Sequence, residues 1–247
     1  MLMYHSVIAG DGVPSWPWAV SMRRFCDQLD FLVSEGYATP TMRELVATPG
    51  NRWTGRTAVI TFDDGYVDNL AACEELKKRG MRASWFIVSG AVGRVPDWPA
   101  EGRPPGRLLN AAELRDMQEN HMEIGSHTVN HLRLPEIDDT HLMRELTDSK
   151  AALEDMLGSP VDGFAYPYGA WDLRCAEAVQ QARYTAACTT RTGWALRDQM
   201  PYQLRRLTVF NTDTTSSFAR KLYFGSHNVR WRDIAAYALR RLGRVNP

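Results

Sequence analysis

Short apolar runs and helical stripes alternate along almost the whole chain. Leu2-Met3-Tyr4, Ala58-Val59-Ile60, Ala83 to Val88, Met122 to Ser126, Gly163 to Tyr166, Tyr184 to Cys188 and Leu204 to Phe210 are too short for helices and predict buried strands. Tyr37 to Thr39 predicts a further short strand. Between them, apolar residues recur at three- and four-residue spacing. Phe25, Leu29, Leu32 and Val33 mark a helix over Ser21 to Glu35, with Ser21 as cap and Gly36 as stop. Further helices are predicted from Met42, over Val67 to Arg79, from an Asn110 cap to Glu119, over Thr140 to Leu157 and over Leu173 to Ala182. Strand and helix in alternation imply an α/β fold, a parallel sheet covered by helices. The pattern leaves a closed barrel and an open doubly wound sheet both standing. Two stretches break the rhythm: Ala9 to Ala19, with Gly12, Pro14, Pro17, Trp16 and Trp18, and the Pro- and Gly-rich segment ending at Arg107. A segment as long as the second inside a compact domain is commonly functional.

Composition narrows the class. The 247 residues carry 29 basic and 29 acidic side chains and fit one large domain, 1–247, with ample core. A neutral balance argues against nucleic acid as a partner, and no apolar run approaches the ~20 residues of a membrane-spanning helix. Met1 leads straight into the first strand with no charged-then-apolar leader. The expectation is therefore a cytoplasmic protein, or an exported one if a leader lies outside this sequence. Cys26, Cys73, Cys175 and Cys188 are scattered and read as free thiols.

The candidate chemistry gathers at strand ends, where a parallel barrel presents its site. In Thr61-Phe62-Asp63-Asp64-Gly65 two adjacent carboxylates close an apolar run, and Gly65 gives the backbone freedom for a sharp exit. Two acids this close resist ionising together unless a cation sits beside them. In Ser126-His127-Thr128-Val129-Asn130-His131, two histidines four apart fall on one face of a helical turn. With one carboxylate they make the two-His-one-acid set that suits zinc or a similar divalent ion with positions open for water and substrate. Spacing alone does not decide which acid binds the ion.

These two motifs, with Phe164-Ala165-Tyr166-Pro167-Tyr168-Gly169, resemble the signature of the polysaccharide deacetylases, the NodB-type carbohydrate esterases. Leu2-Met3-Tyr4-His5-Ser6 is similar to the circularly permuted subgroup acting on poly-N-acetylglucosamine. The resemblance implies a single distorted, seven-stranded (β/α) barrel that removes N-acetyl groups from an N-acetylated amino sugar or glycan. It implies one divalent ion, zinc before Co, Ni or Mn, on Asp64, His127 and His131, with Asp63 as base. It gives the Pro167-Tyr168 turn a backbone N–H for the developing oxyanion, and His5 the protonation of the leaving amine; His227 is the rival for that role, while His121 and His141 read as surface residues. Trp16 and Trp18 are candidates for stacking on sugar rings, or for a packed lid. Two departures stand out. Ala165 occupies the place of the arginine that holds the catalytic acid in the family, so Arg205 and Arg206 become candidates to replace it, and the family's Asp-x-x-Asp-Trp motif has no counterpart. Two other functions stay open, a catalytically silent glycan-binding module and a hydrolase of non-sugar amides. From Arg230 to Arg244, within a tail of about 225–247, Ile234, Tyr237, Ala238 and Leu242 among five arginines predict an amphipathic helix packed on the barrel with a basic outer face.

Overall fold

The computed structural model describes residues 1–47 and 55–228. The strands are β1 (Leu2–Tyr4), β2 (Ser6–Ile8), β3 (Ala19–Ser21), β4 (Ile60–Asp64), β5 (Ser84–Ile87), β6 (Glu123–Ser126), β7 (Gly163–Ala165), β8 (Ala186–Thr192) and β9 (Leu204–Thr208). Seven of them close a parallel barrel in the order β1-β4-β5-β6-β7-β8-β9, with β9 returning to β1. The closed barrel that the resemblance implied is thus the fold, and the open sheet is excluded. All seven interstrand ladders are parallel, and the wall is covered outside by helices that include most of the return connections. These are α1 (Met22–Ser34), α2 (Met42–Ala47), α3 (Asn69–Lys78), α4 (Ala111–Glu119), α5 (Asp139–Leu157), α6 (Leu173–Gln181) and α7 (Thr215–Phe224).

Local chemistry sets the helix ends. Asn110 accepts from the Glu113 N–H while the Glu113 carboxylate accepts from the Asn110 N–H, a reciprocal capping box that starts α4. Asp138 and Asp172 cap α5 and α6 in the simpler one-bond form. One large apolar cluster fills the space between barrel and helices; its aromatic centre includes Phe62 stacked on Trp85 at 4.6 Å between ring centroids.

Three expectations change. Tyr37 to Thr39 forms no strand: only an isolated bridge joins Ala38 to Thr57, and Pro40 removes the next donor a ladder would need. The first irregular stretch is bracketed by a small parallel pair, β2 with β3, lying outside the barrel. The tip of that loop is tied down by Asn211, whose side-chain amide donates to the Pro14 carbonyl and whose backbone N–H donates to Pro17, each at 2.8 Å. Helix α7, which the periodicity did not single out, follows β9 behind a Thr214 cap. The amphipathic tail over Arg230 to Arg244 lies outside the described residues. Among the described residues, no helix is long and apolar enough to cross a membrane. The four cysteines are unpaired, as expected.

Candidate metal centre

Barrel register brings the two motifs to one level. Asp64 lies opposite Ile87, and Ile87 opposite Ser126, so the residues that follow each strand leave the wall side by side. The chain turns sharply there. Asp64 and Gly65 both adopt left-handed backbone, with φ of 71° and 86°. At Gly65 a side chain would be excluded sterically as well, because its Cβ would stand 2.7 Å from the Ile87 Cδ1 atom.

The His127 to His131 segment is not the helical turn its spacing predicted. It is an irregular loop with left-handed residues at Thr128 (φ 69°) and His131 (φ 57°). Each such non-glycine residue costs on the order of 1–3 kcal/mol and persists only where its surroundings impose it. Here the Thr128 hydroxyl accepts from the His131 N–H at 3.0 Å, and the Glu145 carboxylate on α5 accepts from the Val129 and Asn130 backbone N–H groups, each at 2.9 Å. The loop still delivers both imidazoles to Asp64. Asp64 Oδ1 stands 3.5 Å from His127 Nε2 and 3.2 Å from His131 Nε2, and one ligand atom from each of the three residues lies within 4.8 Å of the others.

This trio fits a divalent ion. Asp64 Oδ1 and His131 Nδ1 are buried with no hydrogen-bond partner, which is costly for polar atoms in a protein interior. The His127 Nδ1 atom is 2.7 Å from the Ala165 carbonyl oxygen, the contact that fixes the tautomer with Nε2 unprotonated toward Asp64. Burial pushes His127 down to about 4, so it is a neutral imidazole at neutral pH, as a ligand must be. One carboxylate and two imidazoles, all buried, form a donor set suited to zinc and its neighbours.

Asp63 faces a different partner. Arg206 donates from both terminal nitrogens to the two Asp63 oxygens, at 2.6 and 2.7 Å, with both side chains almost wholly buried. Its third nitrogen donates to the Thr189 carbonyl at 3.0 Å, and Nη1 also reaches the Thr61 hydroxyl at 3.1 Å. Burial opposes charge on both acids, yet the Arg206 guanidinium holds Asp63, and the His131 imidazole holds Asp64, below the usual carboxylate range. Of the two arginines considered for the place left vacant at Ala165, Arg206 is the one that meets Asp63. Arg205 does not: it turns outward to Asp198 at 2.6 Å and to the Thr192 carbonyl at 3.1 Å.

Around these groups lies a cavity of about 530 Å³. His5, partly buried just after β1, lines it with Asp63, Asp64, His127, His131 and Tyr168. Burial lowers the His5 imidazole, an effect that Asp64 and Asp63 partly offset. Pro167 is buried and opens the short turn that carries Tyr168 at φ 58°, its ring 4.5 Å from that of His131. Trp16 and Trp18 form one wall, Trp16 buried and Trp18 38% exposed. More of the lining comes from the Pro- and Gly-rich excursion, whose Trp98 shares a buried apolar cluster with Trp16. There Trp98 stacks on His131 at 4.5 Å between centroids, and Arg103 clamps the turn by donating to the Trp98 and Pro96 carbonyls. His227 packs on Phe210 and is not among the lining residues, and His121 and His141 are exposed.

Sequence reasoning missed Glu145 and Trp98. For Glu145 a signal existed: Leu142, Glu145, Leu146, Ser149 and Leu153 share the inward stripe of α5, a position where a carboxylate needs a reason. Trp98 had none, since its placement depends on the path of an irregular segment.

The comparisons with known proteins agree with this geometry. The profile of the polysaccharide deacetylase family matches residues 50–187. YxkH of Bacillus subtilis (strain 168), named there as a candidate polysaccharide deacetylase, is 30% identical over 221 residues, 88% of this chain and 74% of its own. BC0361, a polysaccharide deacetylase from Bacillus cereus, superposes with a TM-score of 0.72 at 26% identity, over 90% of this chain and 67% of its own. The Streptococcus pyogenes deacetylase PplD, solved with acetate, shares the fold with a TM-score of 0.79 at 22% identity, over 90% of this chain and 96% of its own. A matched segment that contains both acids, both histidines and the Pro167-Tyr168 turn, on a closed seven-stranded barrel, makes this chain a member of the polysaccharide deacetylase family.

Proposed function

We propose that the protein hydrolyses N-acetyl groups from a glycan of N-acetylated amino sugars, with a divalent ion, zinc first, held by Asp64, His127 and His131. The observation that carries this reading is the pair of adjacent acids with opposite fates: Asp64 with an unpartnered oxygen facing two imidazoles, Asp63 clamped by a guanidinium. Bound there, an ion supplies Lewis acidity, polarising the acetamide carbonyl and acidifying water.

The chain's own groups do the rest. Asp63 is charged at neutral pH and takes the proton of the attacking water; Arg206 fixes the direction of its oxygens. The Tyr168 backbone N–H donates to the carbonyl oxygen as negative charge builds on it, a contact of a kind worth about 3 kcal/mol in such sites. His5, lining the same cavity, hands a proton to the departing amine. Trp16, Trp18, Trp98 and Tyr168 offer flat apolar faces suited to sugar rings, and among the described residues no Lys or Arg lines the cavity to receive a phosphate. This lining favours an uncharged glycan over a nucleotide- or lipid-phosphate-linked sugar and over a non-sugar amide. A silent binding module would have no use for the Asp63–Arg206 pair.

The test is acetate release from N-acetylglucosamine oligomers, from a nucleotide-linked N-acetylglucosamine and from a simple acetamide, before and after chelation. Expected is release from the oligomers alone, lost with chelator and restored by zinc. Release that is indifferent to chelator overturns the metal assignment, and faster release from the phosphate-linked sugar overturns the substrate class.

A further inference from the structure

We infer that Glu145 is a positioning residue of the metal centre, setting the separation of His127 and His131 by gripping the loop between them. The inference rests on the metal-dependent reading above. Glu145 is only 6% exposed, and among the described residues no Lys or Arg pairs with it. Its charge is met instead by three donors: the Val129 and Asn130 backbone N–H groups on Oε2, each at 2.9 Å, and the Asn130 side-chain amide on Oε1 at 2.5 Å. All three belong to the two residues that separate the left-handed Thr128 from the left-handed His131.

The loop is also held through its carbonyls. Ser89 and Gly90 donate to the Thr128 and Val129 carbonyls, each at 3.0 Å, and a Cβ on Gly90 would stand 2.5 Å from the Val129 oxygen. The segment between the two histidines is therefore held by both a close backbone contact and a buried anion. Burying an anion is expensive, and an apolar side chain would fill the space on α5 at less cost. What an apolar residue cannot do is accept three hydrogen bonds and keep two left-handed residues in place. Partners of this kind, one step removed from the ligands, typically govern metal affinity by 10–100-fold.

The experiment measures zinc affinity of the full chain by competition with a chromophoric chelator, and the visible absorption of the cobalt-loaded protein, for Glu145→Ala, Glu145→Gln and Gly90→Ala. Expected is zinc binding weaker by about 10–100-fold in Glu145→Ala with an altered cobalt spectrum. Glu145→Gln keeps one oxygen for the two backbone donors and should recover most of the affinity. Gly90→Ala, which presses on the loop at the Val129 carbonyl, should weaken binding as well. If Glu145→Ala does not fold, the other two variants carry the test. Zinc affinity and cobalt spectrum equal to the parent's in the folded variants, with only the thermal midpoint lowered, would reduce Glu145 to a structural staple and overturn the inference. A parent chain that binds zinc yet releases no acetate would instead sink the proposed function and leave this inference standing.

Discussion

Asp63 and Asp64 are neighbours in sequence, equally buried, and opposite in circumstance. Asp63 is complete: both oxygens are matched by Arg206, which is itself anchored to Thr61 and Thr189. Asp64 is incomplete, sitting in left-handed backbone with an oxygen that meets no donor and two imidazole nitrogens facing it. Charge-assisted bidentate pairs are strong and rigid, whereas an unsatisfied buried carboxylate costs stability unless something completes it. The contrast separates a half that the protein organises by itself from a half that the proposed cation would complete. The backbone makes this possible, because Asp64 turns into left-handed conformation directly after Asp63, so the two carboxylates of one cavity can be given different partners.

The largest effect should come from removing a group on the incomplete side. His127→Ala is expected to lose bound zinc and all measurable acetate release together, as read by metal analysis and product assay. Asp63→Asn should split the two: zinc retained at parental stoichiometry, turnover down by ~10²–10⁴-fold. Metal lost from Asp63→Asn would reverse the roles of the two acids. Next in size, Arg206→Met leaves a buried carboxylate unpaired and should cost about 3–5 kcal/mol in denaturant unfolding. The same change raises the Asp63 carboxyl toward and above its ordinary value, so the acid limb of the turnover profile should move to higher pH. Arg205→Met, its neighbour on the outer face, should do neither. The smallest effect lies in the metal-free protein. His127 titrates at about 4 in the fold against 6.5 ordinarily, so between those values the unfolded chain binds the extra proton and stability rises with pH. Thermal unfolding in chelator should show this rise, on the order of 3 kcal/mol across the window, and His127→Gln should flatten it.

The parts of the molecule written in residue type were legible beforehand. Adjacent acids after a buried run, and histidines four apart after another, announce their chemistry without coordinates, and the strand–helix alternation brought the barrel within reach. The parts that depend on how distant segments meet were less so. Ala165 made it plain that an arginine was missing, but choosing between Arg205 and Arg206 required knowing which side of β9 faces the barrel interior. The histidine spacing was read as helical because four-residue separation usually is; left-handed Thr128 and His131, held by Glu145 and by the backbone at Gly90, give the same convergence by another route. The Tyr37 to Thr39 strand failed for a local reason, Pro40, that the sequence already displayed.

The closing strand β9 also has a bearing on how the molecule is born. Asp63 leaves the ribosome 143 residues before the guanidinium that pairs with it, which arrives with the last stave of the barrel. Until that stave slots between β8 and β1, a nascent chain holds an unmatched acid in an open wall. Sealing the cylinder and pairing its buried acid are one event.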